Sequence, residues 1–253
     1  MLILLEDGGY LSLIHPPGWR KPATSRCKYT HLYKELTQKR QMVYLEMYTE
    51  RDGLKNFKCD ITYDMYLIKN VPPVDKTRIT DHDKKIIKVN LKRLNFIPNK
   101  SLRLIYEMLK SKGNKIRIIY SGSMYEGRKV YVKDEKSEIY KYPVVHSVRK
   151  NDIIFKYSSK LLGHFGESKI IIAPRSRNIC NSYIDINGDY GLTNNVFAIP
   201  VSDIDNANKI QNVLKTKKFR IFKDAMTFHN NIFEFKSLIY FNYGIWDEFL
   251  KDD

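Results

Sequence analysis

The sequence is poor in cysteine and in negative charge, and it lacks long apolar runs. Its three cysteines, Cys27, Cys59 and Cys180, are far apart and odd in number, which offers neither a disulfide framework nor a Cys-x-x-Cys metal site. Reduced thiols in a reducing compartment are the expectation. No apolar run approaches the length of about 20 residues that a membrane helix needs. The opening Met1-Leu2-Ile3-Leu4-Leu5 is apolar, but Glu6 and Asp7 stop it and no basic stretch precedes it, so it does not read as a signal peptide. The expected location is intracellular, cytoplasmic or virus-associated, without secretion and without a membrane partner. His164 and His229 each stand apart from any second ligand at helix or turn spacing, so no metal is expected.

What is present is positive charge. The 253 residues carry 44 Lys and Arg against 28 Asp and Glu, a formal net charge of +16. A chain this basic usually meets a polyanion, because each cation near a phosphate releases condensed counterions. Charge alone fits DNA, RNA or an acidic membrane surface. With 43% hydrophobic and 28% charged residues, the composition excludes a disordered chain and suits one large domain or two modest ones.

Leu11-Ser12-Leu13-Ile14 follows a Gly8-Gly9 turn and stops at Pro16-Pro17, as a buried strand would. The spacing of His31, Leu32, Glu35, Leu36 and Lys39 predicts a helix over 30–39. Strands are expected over 43–48 and 60–68, with a loop between them. This alternation is the grammar of an α/β sheet. Val71-Pro72-Pro73 breaks it, and the charged stretch after it reads as a linker. Ser101 is expected to cap a helix carrying Leu102, Leu104, Ile105, Met108 and Leu109, closed by Gly113. Short β-like runs follow at 116–120, 129–132, 153–157, 170–173, 182–186 and 196–199, and helices after Ser202 and over 219–226.

The string from Gly8 to Trp19 (Gly-Gly-Tyr-Leu-Ser-Leu-Ile-His-Pro-Pro-Gly-Trp) is similar to the strand after the catalytic loop in amino-methyltransferases of the Eco57I and TaqI type. His15-Pro16-Pro17-Gly18 departs from that family's catalytic Asn/Asp/Ser-Pro-Pro-Tyr/Phe loop at both ends. The loop needs a side-chain oxygen for the adenine amino group and an aromatic to stack on the flipped base, and His15 and Gly18 supply neither. The later segment Gly53 to Lys69 resembles the family's loop and last core strand. The resemblance implies that Phe57 packs on an extruded adenine; a core-anchoring role is the rival reading. Tyr63 and Asp64 match the family's aromatic and Asp within the strand, with packing and hydrogen bonding as their expected role. Phe165 to Arg177 and Gly188 to Pro200 resemble strands of the family's target-recognition domain, where basic residues face DNA.

The resemblance implies an α/β fold, a partial Rossmann-like methyltransferase sheet over 1–72, then a linker over 73–100. A mixed α+β target-recognition domain follows over 101–253. The expected DNA contacts are Arg128, Lys129, Arg149, Lys150, Lys169, Arg175, Arg177, Lys217 and Lys218, with Tyr125, Tyr131, Phe155 and Tyr157 interleaved. The glycine-rich cofactor turn and the Pro-Pro-Tyr loop are not found in the sequence, so no catalytic or cofactor-binding residue is expected. S-adenosylmethionine would serve the complete enzyme and bind elsewhere. The expectation is a fragment or split subunit of a restriction-modification type DNA adenine-N6 methyltransferase. It would bind double-stranded DNA beside a second chain that carries the N-terminal motifs. The alternative is a non-catalytic, sequence-specific DNA-binding module derived from such an enzyme. RNA is disfavoured for want of an aromatic RNA-recognition strand.

Overall fold

A computed structural model of the chain describes residues 5–21, 30–150, 152–175, 180–229 and 232–251. The fold is mixed α/β and rich in small sheets. It divides into two units, Met1–Glu107 with Asp224–Asn230, and Met108–Lys223 with Asn231–Asp253.

The first unit is built on five strands in the order β1 (Tyr10–His15), β3 (Tyr63–Lys69), β2 (Gln41–Tyr48), β4 (Thr77–Thr80) and β5 (Ile86–Val89). β3 runs antiparallel to both β1 and β2, β4 is parallel to β2, and β5 is antiparallel to β4. A parallel Rossmann-type array is not seen among these strands. β1 and β2 do run parallel to each other, but β3 is inserted between them. Period-2 alternation sends Leu45 and Met47 of β2 and Tyr66 and Ile68 of β3 into the core with Trp19, Leu36 and Ile97. β1 turns Leu13 to the same core and leaves Tyr10 and Ile14 more than half exposed on its other face. Among the described residues it pairs on one side only.

The α-helices of the described residues here are α1 (Thr30–Thr37), α2 (Glu50–Phe57) and α3 (Leu102–Met108). α2 occupies the stretch expected to be a loop. Its side chains are mostly exposed, so no apolar stripe announces it. The helix is set by a capping box, in which the Thr49 hydroxyl accepts from Asp52 N while the Asp52 carboxylate accepts from Thr49 N at 2.8 Å. Thr49→Ala should therefore lower stability by about 1 kcal/mol, read as a shift of the urea midpoint. Thr49→Ser should keep most of it, and equal losses from the two variants would remove the cap from the account.

Residues 73–100, expected as a linker, carry β4 and β5 and bury Ile79, Leu91 and Ile97 in the core. The strands were hidden because each is four residues long and faces solvent with charge. α3 stops at Met108, short of Gly113, and Ser101 has a φ of 53° rather than the extended backbone of a helix N-cap.

Among the described residues the second unit holds a four-stranded and a three-stranded sheet. One orders β11 (Gly191–Leu192), β7 (Tyr142–Val148), β8 (Ile153–Ser158) and β6 (Val132–Lys133). The other orders β10 (Ser182–Asp185), β9 (Lys169–Ile172) and β12 (Phe197–Pro200), all antiparallel. Val145, Ile171, Leu192 and Ala198 share one buried cluster. α4 (Ile204–Val213) starts at Asp203, whose carboxylate accepts from Asn206 N at 2.8 Å. α5 (Lys217–Ala225) and α6 (Ile245–Leu250) bring Phe219, Phe222 and Phe249 against Phe233 and one another. The expected strand over 116–120 is reduced to a bridge between Ile119 and Ala198. β7 was not expected, because Pro143, His146 and Ser147 interrupt its apolar pattern at a bulge. Among the described residues no helix is long and apolar enough to cross a membrane.

Candidate nucleic-acid interface

In the first unit the feature built for stacking lies where β2 ends and β3 begins. Tyr48 and Tyr63 are register partners, and their rings stack at 4.6 Å with 5° between planes. Phe57, the last residue of α2, meets Tyr63 edge-on at 4.9 Å and is 45% exposed. Asn56 Nδ2 donates to the Tyr63 hydroxyl at 2.7 Å, which fixes the middle ring. Lys84 Nζ sits 4.6 Å from the centre of the Tyr48 ring, within cation–π range. The Tyr48 phenol donates to Glu46 at 2.7 Å, and this hydrogen bond pushes its pKa up to about 12. Phe57 thus offers an aromatic surface to solvent and also anchors α2.

Beneath this end of the sheet lies a fully buried ion pair. Arg20 Nε donates to Asp64 Oδ2 at 2.7 Å, with both side chains at 0% exposure. The guanidinium also donates to Ile97 O, Pro98 O and Asn99 Oδ1 at 2.9 to 3.3 Å. Burial raises the Asp64 carboxyl and Arg20 opposes that shift. Asp64 therefore ties the Pro17–Arg20 turn to β3 and is closed to solvent. His15 hydrogen-bonds the Pro16 carbonyl through Nδ1 at 2.9 Å. A carbonyl only accepts, so Nδ1 carries the proton.

In the second unit the β7–β8 hairpin closes with Arg149 N donating to Asp152 O at 2.8 Å. Its tip, with β10, outlines a groove of about 530 Å³. Arg149 and Lys150 stand exposed on it, and Phe155, Ser182 and Tyr183 also line it. Behind the lining stands Tyr190, its ring 5.2 Å from that of Phe155 and 5.7 Å from that of Tyr183. The Tyr190 phenol is held protonated by its hydrogen bond with Tyr183, at about 12. The groove combines two exposed cations with aromatic walls that are packed in place.

The other expected contacts fall differently. Arg128 and Lys129 share one exposed turn, where Arg128 Nε lies 3.6 Å from the Glu126 carboxylate. Arg175 is exposed, and its backbone bridges Ile232. Lys217 is exposed at the start of α5, and Lys218 is half-buried with Nζ donating to Lys251 O at 3.3 Å. Arg177 lies outside the described residues. Lys169 is a correction: Nζ contacts Asp185 at 2.6 Å and both side chains are buried, so it presents no charge to a ligand. An isolated Lys in a β-like run reads as a surface cation, whereas its acidic partner arrives on a neighbouring strand. Among the interleaved aromatics, Tyr125 is fully buried and accepts from Leu162 N at 2.6 Å. Tyr131 donates to Met124 O at 2.8 Å. Both are structural. Tyr183 was missed because one Tyr in a β-like run carries no sign of a groove.

No strand among the described residues passes through a glycine turn into a helix with an acidic partner. The positive-φ glycines Gly8, Gly113, Gly166 and Gly188 lie elsewhere. No methyl-transfer step is assigned to the described residues. Among the described residues there is also no His, Cys, Asp and Glu group that could hold a metal.

No protein-family model matches the chain, and no curated protein matches it. A structure of the type IIG restriction endonuclease BpuSI is similar at a TM-score of 0.39 and 9% identity, over 99% of this chain and 43% of that one. A structure of a type I R-M system is similar at a TM-score of 0.24 and 11% identity, over 29% of this chain and 14% of that one. Both neighbours are restriction-modification proteins, and the chain spans less than half the length of either.

Proposed function

We propose that the chain binds duplex DNA as a fragment or split subunit of an adenine-N6 methyltransferase of the Eco57I and TaqI type, joining the last part of the catalytic fold to a target-recognition domain. The cofactor turn and the Pro-Pro-Tyr loop would be supplied by other residues. The observation that carries DNA binding is the groove of the second unit, where Arg149 and Lys150 flank Phe155 and Tyr183. A net charge of +16 supports a polyanionic ligand. The methyltransferase part of the reading rests on the resemblance of the Gly8–Trp19 and Gly53–Lys69 strings. The half-exposed Phe57 ring gives that resemblance a surface on which an extruded adenine can stack.

Among the described residues β1 is paired on one side only and exposes Tyr10 and Ile14, which favours a split enzyme over a free-standing binding module. A one-sided strand with apolar side chains facing outward is a place for another strand to pair.

Two measurements test the proposal. Duplex affinity is titrated against salt for the chain and for the Arg149→Ala, Lys150→Ala double variant. Each phosphate contact contributes roughly 0.9 to the slope of log affinity against log salt, so the variant's slope should be shallower by about 2. An unchanged slope would put the DNA contacts elsewhere. Incubation with labelled S-adenosylmethionine and DNA should give no methylation by this chain alone. Transfer of label would refute the assignment of the chemistry to other residues.

A further inference from the structure

We infer that the groove between the β7–β8 hairpin and β10 holds one unpaired nucleotide of the bound DNA. Resting on the DNA-binding reading above, this names the ligand of the same site. A fully paired duplex keeps its bases stacked on one another, and it would meet Arg149 and Lys150 through phosphates alone. The groove has more to offer than phosphate contacts. Phe155 and Tyr183 line it together with Ser182, and its volume of about 530 Å³ lies in the range of roughly 300 to 1,000 Å³ typical of small-ligand sites. Cations at a rim with aromatic walls behind them are the arrangement by which proteins take unstacked bases.

Local structure keeps the walls in position. Tyr183 is paired to Ile171 across β9 and tied to Tyr190, whose ring also lies 5.2 Å from Phe155. Gln211 Nε2 donates to Ser182 Oγ at 3.4 Å from α4. The aromatic surface therefore exists before the ligand arrives, which lowers the ordering cost of binding. Asp152 lines the same groove. Its carboxylate repels a phosphate but accepts from an exocyclic amino group, so it belongs with the base rather than the backbone. The groove thus has cations for the phosphate, rings for the base face and an acceptor for the base edge.

The test compares a duplex that carries a single unpaired nucleotide with the same duplex fully paired, using the full chain. The bulged duplex should bind about tenfold more tightly, the size of one base–aromatic stack. Tyr183→Leu should bring that ratio to about one, and Tyr183→Phe should restore it. In the Arg149→Ala, Lys150→Ala variant both duplexes should weaken together and the ratio should persist. 2-Aminopurine at the unpaired position should lose fluorescence on binding, a readout that does not depend on any variant folding. Equal affinity for the two duplexes, or unquenched 2-aminopurine in the complex, overturns the inference while leaving duplex binding in place. A tenfold ratio that survives in a folded Tyr183→Leu places the nucleotide elsewhere and also overturns it. Absence of binding to either duplex sinks the DNA-binding reading itself, and the inference with it.

Discussion

Asp64→Ala should lower the free energy of unfolding by about 3–5 kcal/mol, measured as a fall in the urea midpoint at unchanged slope. The loss comes less from the 2.7 Å contact itself than from what remains after it goes. Arg20 has no solvent exposure, and its other acceptors are two carbonyls and the Asn99 side chain. Without Asp64 its charge is uncompensated in the core. A domain with total stability of roughly 5–15 kcal/mol cannot absorb much more. Removing both charges is a different experiment. Arg20→Met with Asp64→Leu takes away the desolvation penalty together with the attraction, so most of the loss should be recovered. A single-variant loss below about 1 kcal/mol would mean that water reaches the pair.

Lys169→Ala should be comparably damaging to the second unit, at about 3–5 kcal/mol. Asp185 would keep its hydrogen bonds from Asp189 N at 2.8 Å and Tyr190 N at 3.1 Å but lose the buried cation that neutralises it. Because Asp185 holds the turn leading to Tyr190, the ring behind the groove loses its support as well. Weaker DNA binding by this variant would look like the loss of a phosphate contact. Salt dependence separates the two causes. Lys169 is buried against Asp185, so binding corrected for the folded fraction should keep the parental salt slope. A slope shallower by about one would instead make Lys169 a direct contact and overturn its structural assignment.

The elements legible in the sequence were those whose information is local. Leu11 to Ile14 between a glycine turn and two prolines gave β1, and the spacing of Leu32 and Leu36 gave α1. Short β-like runs gave β8, β9 and β10. α2 was illegible to periodicity because its only buried residue is Gly53; the Thr49–Asp52 spacing carried the signal instead. β4 and β5 were too short to stand out from their lysines. Strand order was equally hidden, since β1 and β2 are separated by a strand that comes later in the chain. The same limit applied to the site. Arg149 and Lys150 could be named as cations, and Phe155 as an aromatic near them. That Tyr183 shares their groove depends on how β10 packs. The burial of Lys169 depends on Asp185, which comes from another strand.

The first unit is discontinuous along the chain. Asn99 N donates to Ala225 O at 2.8 Å, the Asn99 side chain donates to Thr227 O at 2.5 Å, and the Phe228 ring lies 5.4 Å from the Arg20 guanidinium. A polypeptide ending at residue 107 would lack these three supports, and its Arg20–Asp64 centre would be open on one side. Exchanging the second unit therefore cannot be done with a single crossover near residue 107. The donor must be spliced in as two pieces, 108–223 and 231–253, with the recipient's own 224–230 left standing between them.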